Sequence, residues 1–177
     1  MIATGAAQPS GGAAHQRYVV ALGSNVGHHR HGPPPAVLRA ALRALVDAGL
    51  VLEAASPLIA SAPVGPSRRR YANGAALVAT PLAPPDLLAL LQRIEHDFGR
   101  VRRGQRWRAR TLDLDIVLWS GGRWLDSRLT VPHAAFRERA FVLVPATKIA
   151  RDWRDPVTHL WVKHLVTRLT RRRAAPR

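Results

Sequence analysis

The feature that most constrains this chain is the run Arg110-Thr111-Leu112-Asp113-Leu114-Asp115-Ile116-Val117-Leu118-Trp119. Its alternation and its β-branched and aromatic content predict a strand over 110–119. Side chains on a strand alternate between faces, so Leu112, Leu114, Ile116 and Leu118 share one face and Asp113, Asp115, Val117 and Trp119 the other. The first set is apolar and is expected to face helices. The second places two carboxylates about 6 to 7 Å apart at their Cα atoms, given a rise of roughly 3.3 Å per residue. A carboxylate there is costly unless a cation meets it. Two readings satisfy that demand: surface ion pairs with nearby arginines, or hard cations such as Mg2+, including two ions about 3.5 to 4 Å apart that clamp a phosphoryl group. Arg100, Arg102, Arg106 and Arg110 gather just upstream, where a triphosphate held by metals would need cationic partners. Metals and arginines together point to a nucleotide.

The length of 177 residues, with 47% hydrophobic residues, predicts one domain with a substantial core. The net charge of +16 comes from 27 Lys and Arg against 11 Asp and Glu, and only Lys148 and Lys163 are lysines. Arginine grips phosphate through a planar fork, so the excess points to nucleic acid, a nucleotide or another polyanion; GC-rich codon usage would produce it without functional meaning. No cysteine occurs, which excludes disulfides and thiolate chemistry. Residues 1–16 lack the features of a signal peptide, and no stretch approaches the roughly 20 apolar residues that cross a bilayer, so a cytoplasmic protein without a membrane partner is expected. Neither a P-loop nor a G-x-G-x-x-G turn is present. Gly23-Ser24-Asn25 reads as a turn, with a phosphate cradle as the weaker alternative. His28, His29 and His31 lack partner acids and read as solvated.

The pattern along the chain predicts a strand from Arg17 to Leu22, a helix opened by Pro33-Pro34-Pro35 and stopped at Gly49, and an extended segment 51–60 interrupted by Ser56-Pro57. A strand over 71–80 and a helix from Pro84 to Gly99 follow, the latter with Gln92 and Glu95 on one face. After the strand at 110–119 come short extended pieces over 124–131, a strand over 140–144 and a helix over 156–170. This order fits an α+β domain with a largely antiparallel sheet over 17–169, flanked by a flexible tail 1–16 and a basic tail 170–177.

Seven blocks in order, Ala21-Leu22-Gly23-Ser24-Asn25, Pro63-Val64-Gly65, Tyr71-Ala72-Asn73, Gly99-Arg100-Val101-Arg102, Arg106-Trp107, Arg110-Thr111-Leu112-Asp113-Leu114-Asp115-Ile116 and Leu129-Thr130-Val131-Pro132-His133, resemble the 6-hydroxymethyl-7,8-dihydropterin pyrophosphokinase family over roughly residues 17 to 160. The resemblance implies a ferredoxin-like α+β fold and transfer of the β,γ-diphosphate of ATP to the pterin hydroxymethyl group, with release of AMP, in folate biosynthesis. It implies that Asp113 and Asp115 bind two Mg2+ ions, that Arg100 and Arg110 act with them in catalysis, and that Gln92, Glu95, Arg102, Trp107, Arg110, Ile116, Arg128, Thr130, His133 and Arg139 surround ATP. Gly23, Ser61, Val64, Tyr71, Asn73, Trp107 and Phe141 would frame the pterin, in a monomer whose 63–70 and 100–109 loops close as lids. The residue chemistry agrees, since a flat heterocycle is served by aromatic faces and by an amide that both donates and accepts. Read singly, Phe141 reads first as a core residue, and Tyr71 and Asn73 have ordinary strand entry as an alternative reading.

The chain departs from the family pattern at Trp107-Arg108-Ala109-Arg110, where W-G-P-R is usual, at Arg68-Arg69-Arg70, at Ala62 and at Ala134. These departures bear on loop closure and substrate affinity, and none removes a metal ligand. Two other readings stand beside the kinase. A nucleic-acid-binding α+β module would use the arginines but has no use for paired carboxylates, which repel phosphate without a metal. A catalytically weakened relative would still bind ATP.

Overall fold

The computed structural model describes residues 15–62, 70–99 and 111–173. Strand β1 (Gln16–Ser24) is the centre of the sheet. It pairs antiparallel along its whole length with β4 (Tyr71–Thr80), from Gln16 opposite Thr80 to Ser24 opposite Ala72, and on its other side with β5 (Asp113–Trp119). Strands β2 (Val51–Ala55) and β3 (Ile59–Ser61) share the far edge of β4, giving the order β2-β4-β1-β5. The break between them falls at Ser56-Pro57, where proline has no N–H for the ladder. Ser56 compensates by donating its N–H to the Ala75 carbonyl at 2.9 Å while its Oγ accepts the Ala75 N–H at 2.9 Å.

Helices cover both faces. On one, α1 (Pro34–Asp47) and α2 (Pro84–Asp97) pack on Tyr18, Val20, Leu22, Val78, Leu114 and Ile116. Each begins with prolines in its first turn, where the missing N–H costs nothing. Helix α1 ends in a Schellman motif: Gly49, at φ +89°, donates to the Val46 carbonyl, Leu50 donates to that of Leu45, and Leu45 and Leu50 both enter the core. On the opposite face, α3 (Ala140–Ile149) and α4 (Val162–Arg173) pack through Leu143, Ala146, Val162 and Leu165 on Val19, Ala21, Leu77, Val117 and Leu118. Burial on both faces explains why β1 and β4 carry near-continuous apolar runs. A two-residue ribbon, β6 (Trp124–Leu125) with β7 (Thr130–Val131), sits beside β5.

The antiparallel α+β architecture matches the expectation, and four local expectations are corrected. Residues 140–144 are the start of α3 and not a strand; a short apolar run has no decisive period, and the pairing of Val142 and Leu143 with Ala146 one turn on buries a helical face. Gly23 and Ser24 continue β1 instead of turning, because they pair with Asn73 and Ala72. The last helix starts at Val162, after a turn in which His159 adopts φ +57°, and it runs through Arg173 into the segment expected as tail. In β5 the pairing register shifts, since Val19 faces Leu118 and Val20 faces Ile116, leaving Val117 as a bulge. The bulge exchanges the last two side chains: Leu118 joins the α3/α4 face, and Trp119 turns to stack on Tyr18 at 6.3 Å.

Candidate active site

Asp113 and Asp115 precede the bulge, so both remain on one face, the face that α3 and α4 cover farther along the sheet. Both side chains are half-buried. Across the strands, Asp113 lies opposite Gly23 and Gly23 opposite Asn73, while Asp115 lies opposite Ala21 and Ala21 opposite Ala75. The row Asn73, Gly23, Asp113 thus places an amide and a carboxylate on either side of a residue with no side chain. A Cβ built on Gly23 would lie 3.8 Å from Asn73 Oδ1 and 3.8 Å from Asp113 Cβ, ordinary contacts, so the glycine keeps open the space above it and relieves no crowding below. Asn73 is only 4% exposed and donates from Nδ2 to Ser61 Oγ at 2.9 Å. Ser61 pairs in turn with Tyr71 at the end of the β3–β4 ladder. Gly23, Ser61, Tyr71 and Asn73 are therefore brought together at the same end of the sheet as the two aspartates.

The free edge of β5 carries a second group. Glu95, on α2 and 2% exposed, accepts the Leu114 N–H at 2.8 Å. On the same edge the Val117 carbonyl accepts the His133 N–H at 3.1 Å. His133 follows the cis Val131-Pro132 bond, and its Nδ1 accepts the Ala135 N–H at 3.2 Å, so Nε2 is the ring nitrogen left to donate. Arg128 and Thr130 are exposed on the β6–β7 ribbon, where the Asp126 carboxylate accepts the N–H groups of Arg128 and Leu129 and that of the Trp124 indole. These bonds, the Trp124 indole first, hold the Asp126 carboxyl below its ordinary range. Arg139 is the residue before α3, with its guanidinium 5.9 Å from the Phe141 ring centre, and Phe141 packs partly against the core. Gln92 lies one turn before Glu95 on α2, and both border a groove of about 1060 Å³ between α1 and α2. Ile116 differs from its neighbours. It is 2% exposed in the core under α1 and α2, so its side chain faces away from the aspartates. Strand alternation instead turns its main chain, like that of Leu114, toward the free edge.

Val64, Arg100, Arg102, Trp107 and Arg110 lie outside the described residues, as do the 100–109 loop and most of the 63–70 loop. Among the described residues, no group of three or more His, Cys, Asp and Glu side chains is arranged to hold a metal. His28, His29 and His31 instead pile ring on ring, at 4.3 and 4.6 Å from His28, and end on Phe98. The sequence reading passed over Arg137 and Asp155. Asp155 is fully buried and accepts both arms of the Arg137 guanidinium at 2.7 Å, together with the Thr158 hydroxyl and the Val157 N–H. Burial alone would raise its pKa, but these bonds and the arginine charge prevail and bring it down to about 2. Neither residue belongs to a motif, so only the fold reveals the pair.

One end of the two-sided antiparallel sheet thus carries two carboxylates and a buried amide on one face, with Gly23 between Asn73 and Asp113. The family model for 7,8-dihydro-6-hydroxymethylpterin-pyrophosphokinase matches residues 19–151, and the chain belongs to that family. It is 49% identical over 146 residues to a 2-amino-4-hydroxy-6-hydroxymethyldihydropteridine pyrophosphokinase of Pseudomonas aeruginosa, covering 80% of this chain and 85% of that one. It is 40% identical over 138 residues to the protein of the same name from a Synechocystis strain, covering 78% and 68%. In fold it is similar to a crystal structure of Plasmodium falciparum HPPK-DHPS, with TM-score 0.71 at 12% identity; the match covers 92% of this chain and 47% of that longer one. The protein is thus a pyrophosphokinase of folate biosynthesis, using ATP as co-substrate and hydroxymethyldihydropterin as acceptor. No helix among the described residues is long and apolar enough to cross a membrane.

Proposed function

We propose that the face of β1 and β5 bearing Asp113 and Asp115 is where the pyrophosphoryl group passes from ATP to the pterin, with Mg2+, two ions, held by those carboxylates. The donor set fits the metal. Mg2+ favours hard oxygen ligands and is commonly held by one or two carboxylates plus substrate phosphates and water, so two aspartates without a third protein ligand are sufficient. When bound, the ions offset charge on the phosphate oxygens and polarise them.

The pterin lies over Gly23, its polar edge met by Asn73 and Ser61, with Tyr71, Phe141, Val64 and Trp107 around the ring. The Asn73 amide is suited to this because its buried, fixed orientation offers a donor and an acceptor to a heterocycle that carries both. The nucleotide runs along the free edge of β5. Main chain at Ile116, with Gln92, Glu95, Thr130 and Trp107, surrounds the nucleoside, and Arg100, Arg102, Arg110, Arg128, Arg139 and His133 meet the phosphates. The hydroxymethyl oxygen attacks the β-phosphorus, the bond from that phosphorus to the α,β-bridging oxygen breaks, AMP leaves with that oxygen, and the hydroxyl proton passes to water. Such a transfer demands alignment and charge neutralisation more than covalent help. His133 donates from Nε2 to the developing charge. The cytoplasmic location and monomeric state belong to the same proposal, with sedimentation as the check on the latter.

The observation that carries this reading is the row Asn73, Gly23, Asp113, which sets an amide and a carboxylate either side of an open gap. Calorimetric titration with a non-hydrolysable ATP analogue tests it. Affinity is expected to depend on Mg2+ in the native protein and to lose that dependence in Asp113→Asn and Asp115→Asn, while pterin affinity, measured without nucleotide, is kept. Mg2+-dependent binding that survives both substitutions contradicts the metal assignment.

A further inference from the structure

We propose that Asp155, acting through Arg137, is a positioning residue for the triphosphate contacts of His133 and Arg139. The proposal rests on the reading that those two side chains meet the phosphates. Residues 133–139 run from one anchor, the His133 N–H on the Val117 carbonyl, to another, the start of α3 after Arg139. Between them lies a single turn of 3-10 helix, Phe136–Glu138, too short to hold its own shape. Arg137 stands in that turn and is tied outward, with Nε donating to Asp155 Oδ2 and Nη2 to Oδ1, both at 2.7 Å, and with its guanidinium 4.7 Å over the buried Phe136 ring. Asp155 is itself immobilised by Thr158 and the Val157 N–H, while its own main chain donates to the Leu160 carbonyl and accepts from His159.

The arrangement is an uneconomical way to hold a surface turn. A buried ion pair gains little over well-packed apolar residues of the same volume, because desolvation offsets the attraction. What the fork provides is direction: two parallel hydrogen bonds fix the plane of the guanidinium and hence the path of the backbone that carries it. That backbone delivers His133 four residues before Arg137 and Arg139 two residues after it. The turn between α3 and α4, which supplies no proposed ligand contact, therefore sets the angle at which two phosphate-binding side chains leave the chain.

The test compares Asp155→Asn with His133→Ala and Arg139→Ala, using a non-hydrolysable ATP analogue, AMP and the pterin as titrants, at a temperature where urea titration shows each protein folded. Asp155→Asn is expected to weaken the triphosphate analogue about tenfold, the factor that follows from losing about 1.4 kcal/mol of contact energy, while AMP and pterin change by less than about twofold. Arg137→Lys keeps the charge without the fork and is expected to show the same selective loss, which preserves the test if Asp155→Asn does not fold. Equal weakening of AMP and the triphosphate analogue would overturn the proposal in favour of a purely structural pair. Unchanged triphosphate affinity in Asp155→Asn, with clear loss in His133→Ala and Arg139→Ala, would overturn it too. Unchanged affinity in those last two variants would bring down the phosphate reading of residues 133 and 139, and the positioning role with it.

Discussion

Gly23 shows how one missing side chain shapes this site. Its pairing is that of an ordinary strand residue, and a Cβ there would be accommodated, so the fold does not require glycine. A larger side chain would instead fill the gap between Asn73 and Asp113. Gly23→Val is expected to raise the KM for pterin at least about tenfold, a loss of about 1.4 kcal/mol of binding, with little change in the urea midpoint. An unchanged pterin KM would remove the gap from the site. Asp155 gives a prediction in pH. Its folded pKa of about 2 lies below the ordinary value near 3.9, so its contribution to stability is complete above about pH 4 and is lost as the pH falls toward 2. Asp155→Asn should lower the urea midpoint at neutral pH and flatten its decline over that acid window; an identical acid limb in both proteins would show that the carboxylate does not matter there. At this scale the shared face of Asp113 and Asp115 was legible in the sequence because strand alternation is a two-residue rule. The Arg137–Asp155 pair was not, since its members lie 18 residues apart and meet only when α3 brings them together.

At the scale of elements, β5 decides which face the two aspartates share. Alternation predicted its faces correctly from Leu112 to Val117 and failed at Leu118 and Trp119, because a bulge is a property of two paired strands and one strand's sequence does not contain it. Helix α3 was misread as a strand for a related reason: five apolar residues satisfy either period, and the need to cover the second face of the sheet decides between them. The prolines and glycines around α1 and α2 carry their own stereochemistry, and those helices were readable directly. At Leu114 the outer edge of β5 is met by Glu95 of α2, which gives a stability test. Glu95→Ala leaves the buried Leu114 N–H without its acceptor and is expected to cost about 1 to 3 kcal/mol in urea denaturation, whereas Glu95→Gln, which can still accept, should cost less. Equal losses in the two variants would show that Glu95 does not stabilise this edge through the Leu114 bond.

For the whole molecule, helices bury both faces of the sheet, and Asp113 and Asp115 stay half-buried at one end of one face. The family match decides between the enzyme and a nucleic-acid-binding module. The proposed site requires the acceptor and the paired carboxylates to act together. The direct measurement is AMP release from ATP, followed in a coupled assay with and without hydroxymethyldihydropterin and Mg2+. The native protein should release AMP only when both are present, and Asp113→Ala and Asp115→Ala, folded by circular dichroism, should release none above background. AMP release that ignores the pterin, or that persists in both aspartate variants, would contradict the account.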